Sequence, residues 1–233
     1  MTMAAAASRH AVYFAPSPTH PLWTLGCRWL GRDADDTGTA GAPGHDLVAT
    51  PWRYGFHATL KAPMALADGV NESNWLAAVR ALAARHEPFE MPALRVALLS
   101  DFIALRPVEP LEAPHPLRRL ADDCVIALDP WRAPFTAAER ERHARPLWDA
   151  RQRSNLDRLG YAFVLDDWRF HMTLSNSLAG VESDRIAALR ALATRHVAPA
   201  LGLPLHCRDL CVFVEPAPGQ PFELRHRFAL GGA

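Results

Sequence analysis

The chain has 233 residues, of which 49% are apolar and 21% are charged, with 25 basic and 25 acidic side chains. This length allows a hydrophobic core without disulfide or metal support, and the balanced charge disfavours a protein that binds long nucleic acids. The 4 cysteines stand at irregular spacing, which predicts free thiols and no zinc site. We expect a cytoplasmic protein without a membrane partner, because the sequence shows neither a membrane-spanning run nor a signal peptide. We also expect a monomer.

Local patterns predict the first elements along the chain. Residues 11–15 (AVYFA) are β-prone and stop at Pro16, which predicts a strand. Residues 20–31 carry apolar side chains at helical spacing and end at Gly31, which predicts a helix. The segment 32–50 is rich in Gly, Asp and Thr and is typical of a surface loop.

Two similar segments follow, about 110 residues apart. Residues 72–86 (ESNWLAAVRALAARH) and 182–196 (ESDRIAALRALATRH) are identical at 10 of 15 aligned positions, and both are amphipathic in helical register. A strand-like segment precedes each helix (52–60 and 168–174), and two strand-like runs follow each one. Two alanine-rich helices could match by composition alone, but the matching flanks predict a duplicated strand–helix–strand–strand unit.

Further helices are predicted between the two copies. Leu117 to Leu128 show helical spacing ended by Pro130, and Thr136 and Asp149 are suitable N-caps for helices that run to about Gly160. The sequence therefore predicts a single bilobal domain over residues 1–233, with lobes built around 52–107 and 168–216.

The two predicted strands share the pattern Phe-His-x-Thr-Leu, at 56–60 and 170–174. Because side chains alternate along a strand, His57 and Thr59 share one face, as do His171 and Thr173. If a pseudo-two-fold axis relates the lobes, both pairs line one cleft. One imidazole can then act as a base while the other acts as an acid, and the hydroxyls can bind a phosphoryl group.

The motif has two alternative interpretations, a core histidine and a metal site. A single histidine on a strand is often a core residue, but a duplicated pair in matching register favours function. A two-histidine metal site is disfavoured, because no Asp, Glu or Cys stands at ligand spacing beside either histidine. We therefore predict no metal and no cofactor.

Other polar residues are weaker candidates for substrate binding. The one lysine of the chain, Lys61, would continue the face of His57 and Thr59, and Ser175 takes its place in the second copy. Arg53, Tyr54, Arg132 and Arg169 lie in or near the motif segments and could contact phosphate or ribose. Each single arginine among the 24 is more simply interpreted as a surface residue.

The paired motifs resemble the signature of the 2H phosphoesterase superfamily, which includes 2′,5′-RNA ligase-like proteins and cyclic phosphodiesterases. More narrowly, the runs RYGFHATLKAP (53–63) and DPWRAPFTAAERER (129–142) look like a bacterial family encoded in phosphonate-utilisation operons. The resemblance implies a bilobal α+β fold, with two antiparallel sheets flanked by helices around a central cleft. It further implies metal-independent cleavage of cyclic or linear phosphodiesters. It also implies His57, Thr59, His171 and Thr173 as catalytic residues.

The sequence thus predicts a phosphodiesterase for a small cyclic phosphodiester, such as a phosphorylated ribose intermediate of phosphonate metabolism. Two other functions stay open. One is an enzyme that processes 2′,3′-cyclic phosphate or 2′,5′-linked RNA ends, which the neutral charge makes less favourable. The other is a nucleotide-binding module without activity. The sequence does not assign the acid and base roles to the two histidines.

Overall fold

The computed structural model describes residues 8–36, 46–112, 114–143 and 148–232. Its helices are α1 (Pro21–Leu30), α2 (Ala49–Tyr54), α3 (Glu72–Ala83), α4 (Pro116–Leu128), α5 (Ala137–His143), α6 (Ala150–Leu159) and α7 (Ser183–Leu201). Its strands are β1 (Arg9–Phe14), β2 (Ala58–Met64), β3 (Phe89–Glu90), β4 (Leu94–Leu99), β5 (Phe102–Pro107), β6 (Met172–Thr173), β7 (His206–Cys207), β8 (Asp209–Glu215) and β9 (Glu223–Ala229). The predicted α+β class is confirmed.

All the strand pairs are antiparallel and form three sheets. A four-stranded sheet has the order β2-β1-β8-β9, a three-stranded sheet has the order β4-β5-β6, and β3 pairs with β7. The strand after the first histidine therefore shares a sheet with the hairpin that follows α7. The second histidine immediately precedes β6, which shares a sheet with the hairpin that follows α3. Each of these sheets draws strands from both predicted lobe ranges, 52–107 and 168–216.

The core forms where the helices cover the sheets. Val12, Tyr13 and Phe14 of the central strand β1 are at most 1% exposed, as expected for a strand that is paired on both edges. Helix α1 packs against α7, and α4 packs against β2. The four cysteines are free and buried in this interior.

Several predicted helix boundaries are confirmed by their caps. Helix α1 ends at Gly31, which has the left-handed φ of 80° that glycine adopts readily. Asp149 caps α6 through a capping box with Gln152, and Gly160 follows the last helical residue. The predicted loop 32–50 lies partly outside the described residues; its last part, 46–48, forms a 3₁₀ turn, and α2 begins at Ala49.

Two strand predictions were wrong in extent. Residues 52–54 belong to helix α2, so the first motif strand begins only at Ala58. The second motif strand consists of only Met172 and Thr173. Among the described residues, none of the helices combines the length and apolar character that crossing a bilayer requires.

Candidate active site

A glycine turn places His57 at the start of β2. Gly55 has φ 79° and ψ 177°, a conformation that is open to glycine and strained for other residues. Phe56 is fully buried, and its ring lies where a side chain on Gly26 of α1 would be, because an added Cβ would be 2.2 Å from Phe56 Cδ1. The turn and this anchor fix the direction in which His57 leaves the backbone.

The imidazole of His57 is held by a carbonyl, a hydroxyl and a ring. Its Nδ1 lies 2.9 Å from the carbonyl oxygen of Gly55, and its Nε2 lies 3.3 Å from Thr59 Oγ1. Tyr13 stacks on the imidazole with a centroid distance of 3.7 Å. Burial lowers the pKa of His57 to about 4, against the opposing effect of the Gly55 hydrogen bond. The free ring is therefore neutral at pH 7.

The second histidine is oriented in the same way. His171 Nδ1 lies 2.8 Å from the carbonyl oxygen of Arg169, and the ring of Phe102 lies 5.6 Å away between centroids. Burial, and then the charge of Arg106, lower the pKa of His171. Thr173 pairs with Ala104 of β5, which fixes its place two residues further along the strand.

The two motifs come together in the fold. Strand β2 packs against β6, and Trp168 Nε1 donates a hydrogen bond of 3.0 Å to the carbonyl oxygen of Thr59. A positive charge on His171 lowers the pKa of His57, although burial is the larger cause.

A cavity of about 240 Å³ opens between the two motifs and includes both Thr59 and His171 in its wall. Most of the wall is apolar, and four aromatic residues contribute to it: Phe102, Tyr161, Phe163 and Trp168. Burial raises the pKa of Tyr161, so its phenol keeps its proton and can donate a hydrogen bond at neutral pH. The cavity fits a ligand that has a planar or apolar group.

The prediction that Lys61 faces this cavity is wrong. Strand β2 has a bulge against β1: Tyr13 pairs with Thr59, but the neighbouring Val12 pairs with Lys61. The extra residue reverses the alternation of side chains, so that Ala62 lines the cavity. Lys61 is 3% exposed and donates hydrogen bonds to the carbonyl oxygen of Val125 (3.1 Å) and to Asp129 Oδ1 (2.9 Å).

Two further substrate-binding candidates also have structural partners instead. Arg132 donates to Asp129 Oδ1 at 2.9 Å and to the carbonyl oxygen of Arg158 at 3.2 Å. These bonds connect the turn after α4 to α6. Ser175 is 2% exposed; its Oγ accepts from the backbone N–H of Ile103 at 2.9 Å. Neither side chain lines the cavity. For Ser175 the reason is that β6 ends at Thr173 and the chain beyond it hydrogen-bonds along the edge of β5.

Of the other candidates from the sequence, Arg169 lines the cavity, whereas Arg53 and Tyr54 lie beside the first motif. The Arg53 guanidinium is paired with the buried Glu215. Tyr54 lies 6.3 Å from His57 and stacks on Phe222 at 5.0 Å, both between ring centroids. Tyr54 is therefore close enough to contact a ligand of His57, whereas Arg53 is held by Glu215.

Sequence reasoning missed the aromatic side chains of the site. Tyr13 belongs to a strand that was predicted from its β-prone run, but nothing in that run shows which imidazole the ring meets. Tyr161 and Phe163 follow α6 in a segment without periodicity. Within the described ranges, no group of three or more His, Cys, Asp or Glu side chains has the arrangement of a metal site.

Comparison with known proteins places the chain in a family. A family model described as "Protein of unknown function (DUF1045)" matches residues 59–223, which is more than half of the chain. The chain belongs to the DUF1045 family. Two curated relatives, both called "Ribose 1,5-bisphosphate phosphokinase PhnN", are 36% identical over 97% of this chain (Janthinobacterium sp. strain Marseille) and 38% identical over 93% of it (Laribacter hongkongensis strain HLHK9). The matches cover 51% and 50% of those proteins, so this DUF1045 chain spans about half their length.

Among solved structures, the chain is similar to E. coli LigT complexed with NADP+. The alignment covers 97% of this chain and 99% of that chain, with 14% identity and a TM-score of 0.45.

Proposed function

We propose that this DUF1045 chain is a metal-independent phosphodiesterase that hydrolyses a small cyclic phosphodiester. The observation that carries the proposal is the pair of oriented imidazoles, His57 and His171, on contacting segments of two sheets. Each ring has its Nδ1 on a backbone carbonyl, and each is followed two residues later by a threonine.

The carbonyl contacts determine which nitrogen is available for chemistry. A carbonyl oxygen only accepts hydrogen bonds, so Nδ1 carries the hydrogen in both neutral rings and Nε2 carries the lone pair. The neutral ring takes a proton from water through Nε2, and the resulting hydroxide forms the new P–O bond. The second ring, protonated at Nε2, gives its proton to the sugar oxygen as the old P–O bond breaks. Each turnover ends with the two rings having exchanged protonation states.

We assign the base to His57 and the acid to His171. Stacking on Tyr13 and burial keep His57 neutral, as a base requires. His171 lies at the cavity wall, where a bound phosphodiester anion favours its charged form. In this proposal the hydroxyl of Thr59 turns from His57 Nε2 to the ligand, and the hydroxyls of Thr59 and Thr173 donate to the non-bridging oxygens of the phosphoryl group.

The names of the curated relatives support a phosphorylated ribose as the substrate. A two-part protein that phosphorylates ribose 1,5-bisphosphate has a use for a second part that produces a ribose phosphate from a cyclic phosphodiester. We do not propose kinase activity for this chain. Its one lysine, Lys61, follows no glycine-rich loop and is paired with Asp129.

A second candidate substrate is a nucleoside or RNA-end 2′,3′-cyclic phosphate. The aromatic wall of the cavity favours it, because Tyr161, Phe163 and Trp168 offer faces on which a nucleobase can stack. A binding module without turnover would use the same cavity.

A panel of cyclic phosphodiesters tests the proposal. The purified protein, in EDTA, is offered ribose cyclic phosphates with and without a second phosphate, and nucleoside 2′,3′-cyclic phosphates. We expect hydrolysis of at least one compound by the native protein and by His226→Ala, which alters an exposed histidine of β9. We expect loss of hydrolysis in His171→Ala. Tight binding of a nucleotide without turnover would favour the binding module, and activity that needs an added metal would contradict the proposed mechanism.

A further inference from the structure

Four arginines surround a second cavity next to the candidate active site. This arginine pocket has a volume of about 270 Å³ and its wall includes Arg95, Arg106, Arg118 and Arg169. Trp168 and Arg169 line both this pocket and the aromatic cavity, so the two cavities adjoin. The arginines come from three parts of the fold: the β4–β5 hairpin, α4 and the segment before β6.

The positive charge of the arginine pocket is not balanced by paired carboxylates. Among the described residues, none of the four guanidinium groups lies within 4.0 Å of a carboxylate oxygen. Glu109 contributes to the wall of the pocket without forming such a pair. Asp122 interacts electrostatically with Arg118, but four guanidinium groups against the carboxylates of Glu109 and Asp122 still leave excess positive charge, which an anionic ligand would neutralise.

Two features of the hairpin show that the arrangement costs stability. Arg95 and Arg106 are directly opposite each other on antiparallel strands, where like charges repel. Arg106 Nε is buried and has no hydrogen-bond partner, while another of its nitrogens donates to the carbonyl oxygen of Leu98 at 3.2 Å. A bound anion would offset the repulsion between the two guanidinium groups.

We propose that the arginine pocket binds a phosphate monoester carried by the substrate, and this inference rests on the proposed phosphodiesterase function. Arginine forks match phosphate oxygens in pairs, and a cluster of them suits a dianion better than a single diester charge. The substrate would then carry two phosphoryl groups, one cleaved between the histidines and one held in the pocket.

The contact between the two cavities indicates a small substrate. Arg169 lines both the arginine pocket and the cavity that His171 lines, so the two phosphoryl groups would lie on adjacent parts of one molecule. A pocket of about 270 Å³ holds a phosphate with part of a sugar, and the balanced charge of the whole chain offers little to a longer polyanion.

Calorimetry with ribose 5-phosphate tests the pocket independently of catalysis. We expect Arg106→Gln and Arg169→Gln each to weaken binding by about 10-fold or more, the loss of one charge-assisted hydrogen bond. Arg190→Gln, which alters an exposed arginine of α7, is the matched control and is expected to bind as the native protein does. Thermal melts show whether each variant is folded. If Arg106→Gln does not fold, Arg169→Gln is used for the binding test.

Turnover separates this inference from the proposed function. With a cyclic phosphodiester that carries a second phosphate, kcat/KM should fall in Arg118→Gln, which alters the pocket arginine on α4, and with one that lacks it, kcat/KM should hold. Arginine-dependent binding of ribose 5-phosphate without any hydrolysis would support the pocket as a phosphate-binding site and would contradict the proposed phosphodiesterase activity. No binding of ribose 5-phosphate, or equal binding by Arg106→Gln and Arg190→Gln, would contradict phosphate binding by the arginine pocket. If an RNA oligonucleotide binds more tightly than ribose 5-phosphate, and the binding depends on the arginines, the inference of a small substrate is wrong.

Discussion

Replacement of Lys61 by methionine tests whether the lysine is a structural or a ligand-binding residue. Lys61 is 3% exposed and bonds to Asp129, whose side chain is 22% exposed and is also bonded to Arg132. Burial lowers the pKa of Lys61 even though Asp129 opposes this effect. The ammonium is therefore charged in an environment where burial disfavours the charged form. In Lys61→Met the apolar stem is kept and Asp129 keeps Arg132, so no carboxylate is left without a partner.

The magnitude follows from the bonds that are lost. One charge-assisted hydrogen bond and one bond to a carbonyl disappear, which we expect to lower the free energy of unfolding by about 1–3 kcal/mol. For a chain of this length that corresponds to a Tm lower by about 2–12 °C. Asp129→Asn removes the charge that both Lys61 and Arg132 face, so we expect a larger loss, about 3–5 kcal/mol.

The assay is a denaturant titration of each variant together with calorimetry of phosphate binding. The structure predicts lower stability and unchanged phosphate affinity in Lys61→Met, and the order native, Lys61→Met, Asp129→Asn for decreasing stability. An unchanged Tm together with weaker phosphate binding would refute the reasoning, because it would mean that the lysine faces the ligand.

Three further predictions concern the histidines and their support. If the rings act as acid and base, kcat/KM should be bell-shaped with its maximum below pH 6.5, because burial lowers the pKa of both His57 and His171; a maximum above pH 7 would contradict this. The folded pKa of His57, about 4, lies below its ordinary 6.5, so the unfolded chain binds the proton more tightly and stability should fall as pH drops through this window. In His57→Gln, chemical denaturation should show a shallower fall. Gly26→Ala would press on Phe56, and we expect a loss of about 1–3 kcal/mol in thermal melts, whereas an unchanged Tm would show that the ring can move aside.

The parts of the site that were predictable from the sequence are those set by local pattern. The duplicated Phe-His-x-Thr-Leu motif predicts that His57 shares a side with Thr59, and the hydrogen-bond distance between Nε2 and Oγ1 agrees. Phe56 and Phe170 are buried, as the alternation of the motif indicates. Helix ends at glycine and a capping Asp were predictable for the same reason, since they depend on neighbours in the chain.

Features that depend on distant partners were not predictable. The bulge that turns Lys61 inward arises in the pairing of β2 with β1, and alternation along one strand cannot reveal it. The sheets also cross the repeat, because the strands after α7 join the strand that precedes α3. Arg95 and Arg106 look like ordinary surface residues until the β4–β5 pairing places them opposite each other.

The most direct test of the central claim is turnover of a cyclic phosphodiester in EDTA, followed by ³¹P NMR, for the native protein, His57→Ala, His171→Ala and the double variant. Each single substitution should lower the rate by roughly 10²–10⁴, as expected for a positioned acid or base. The double variant should be little slower than the slower single variant, because both rings act in one step. Single variants that keep the native rate, or activity that EDTA abolishes, would contradict two-histidine catalysis without a metal.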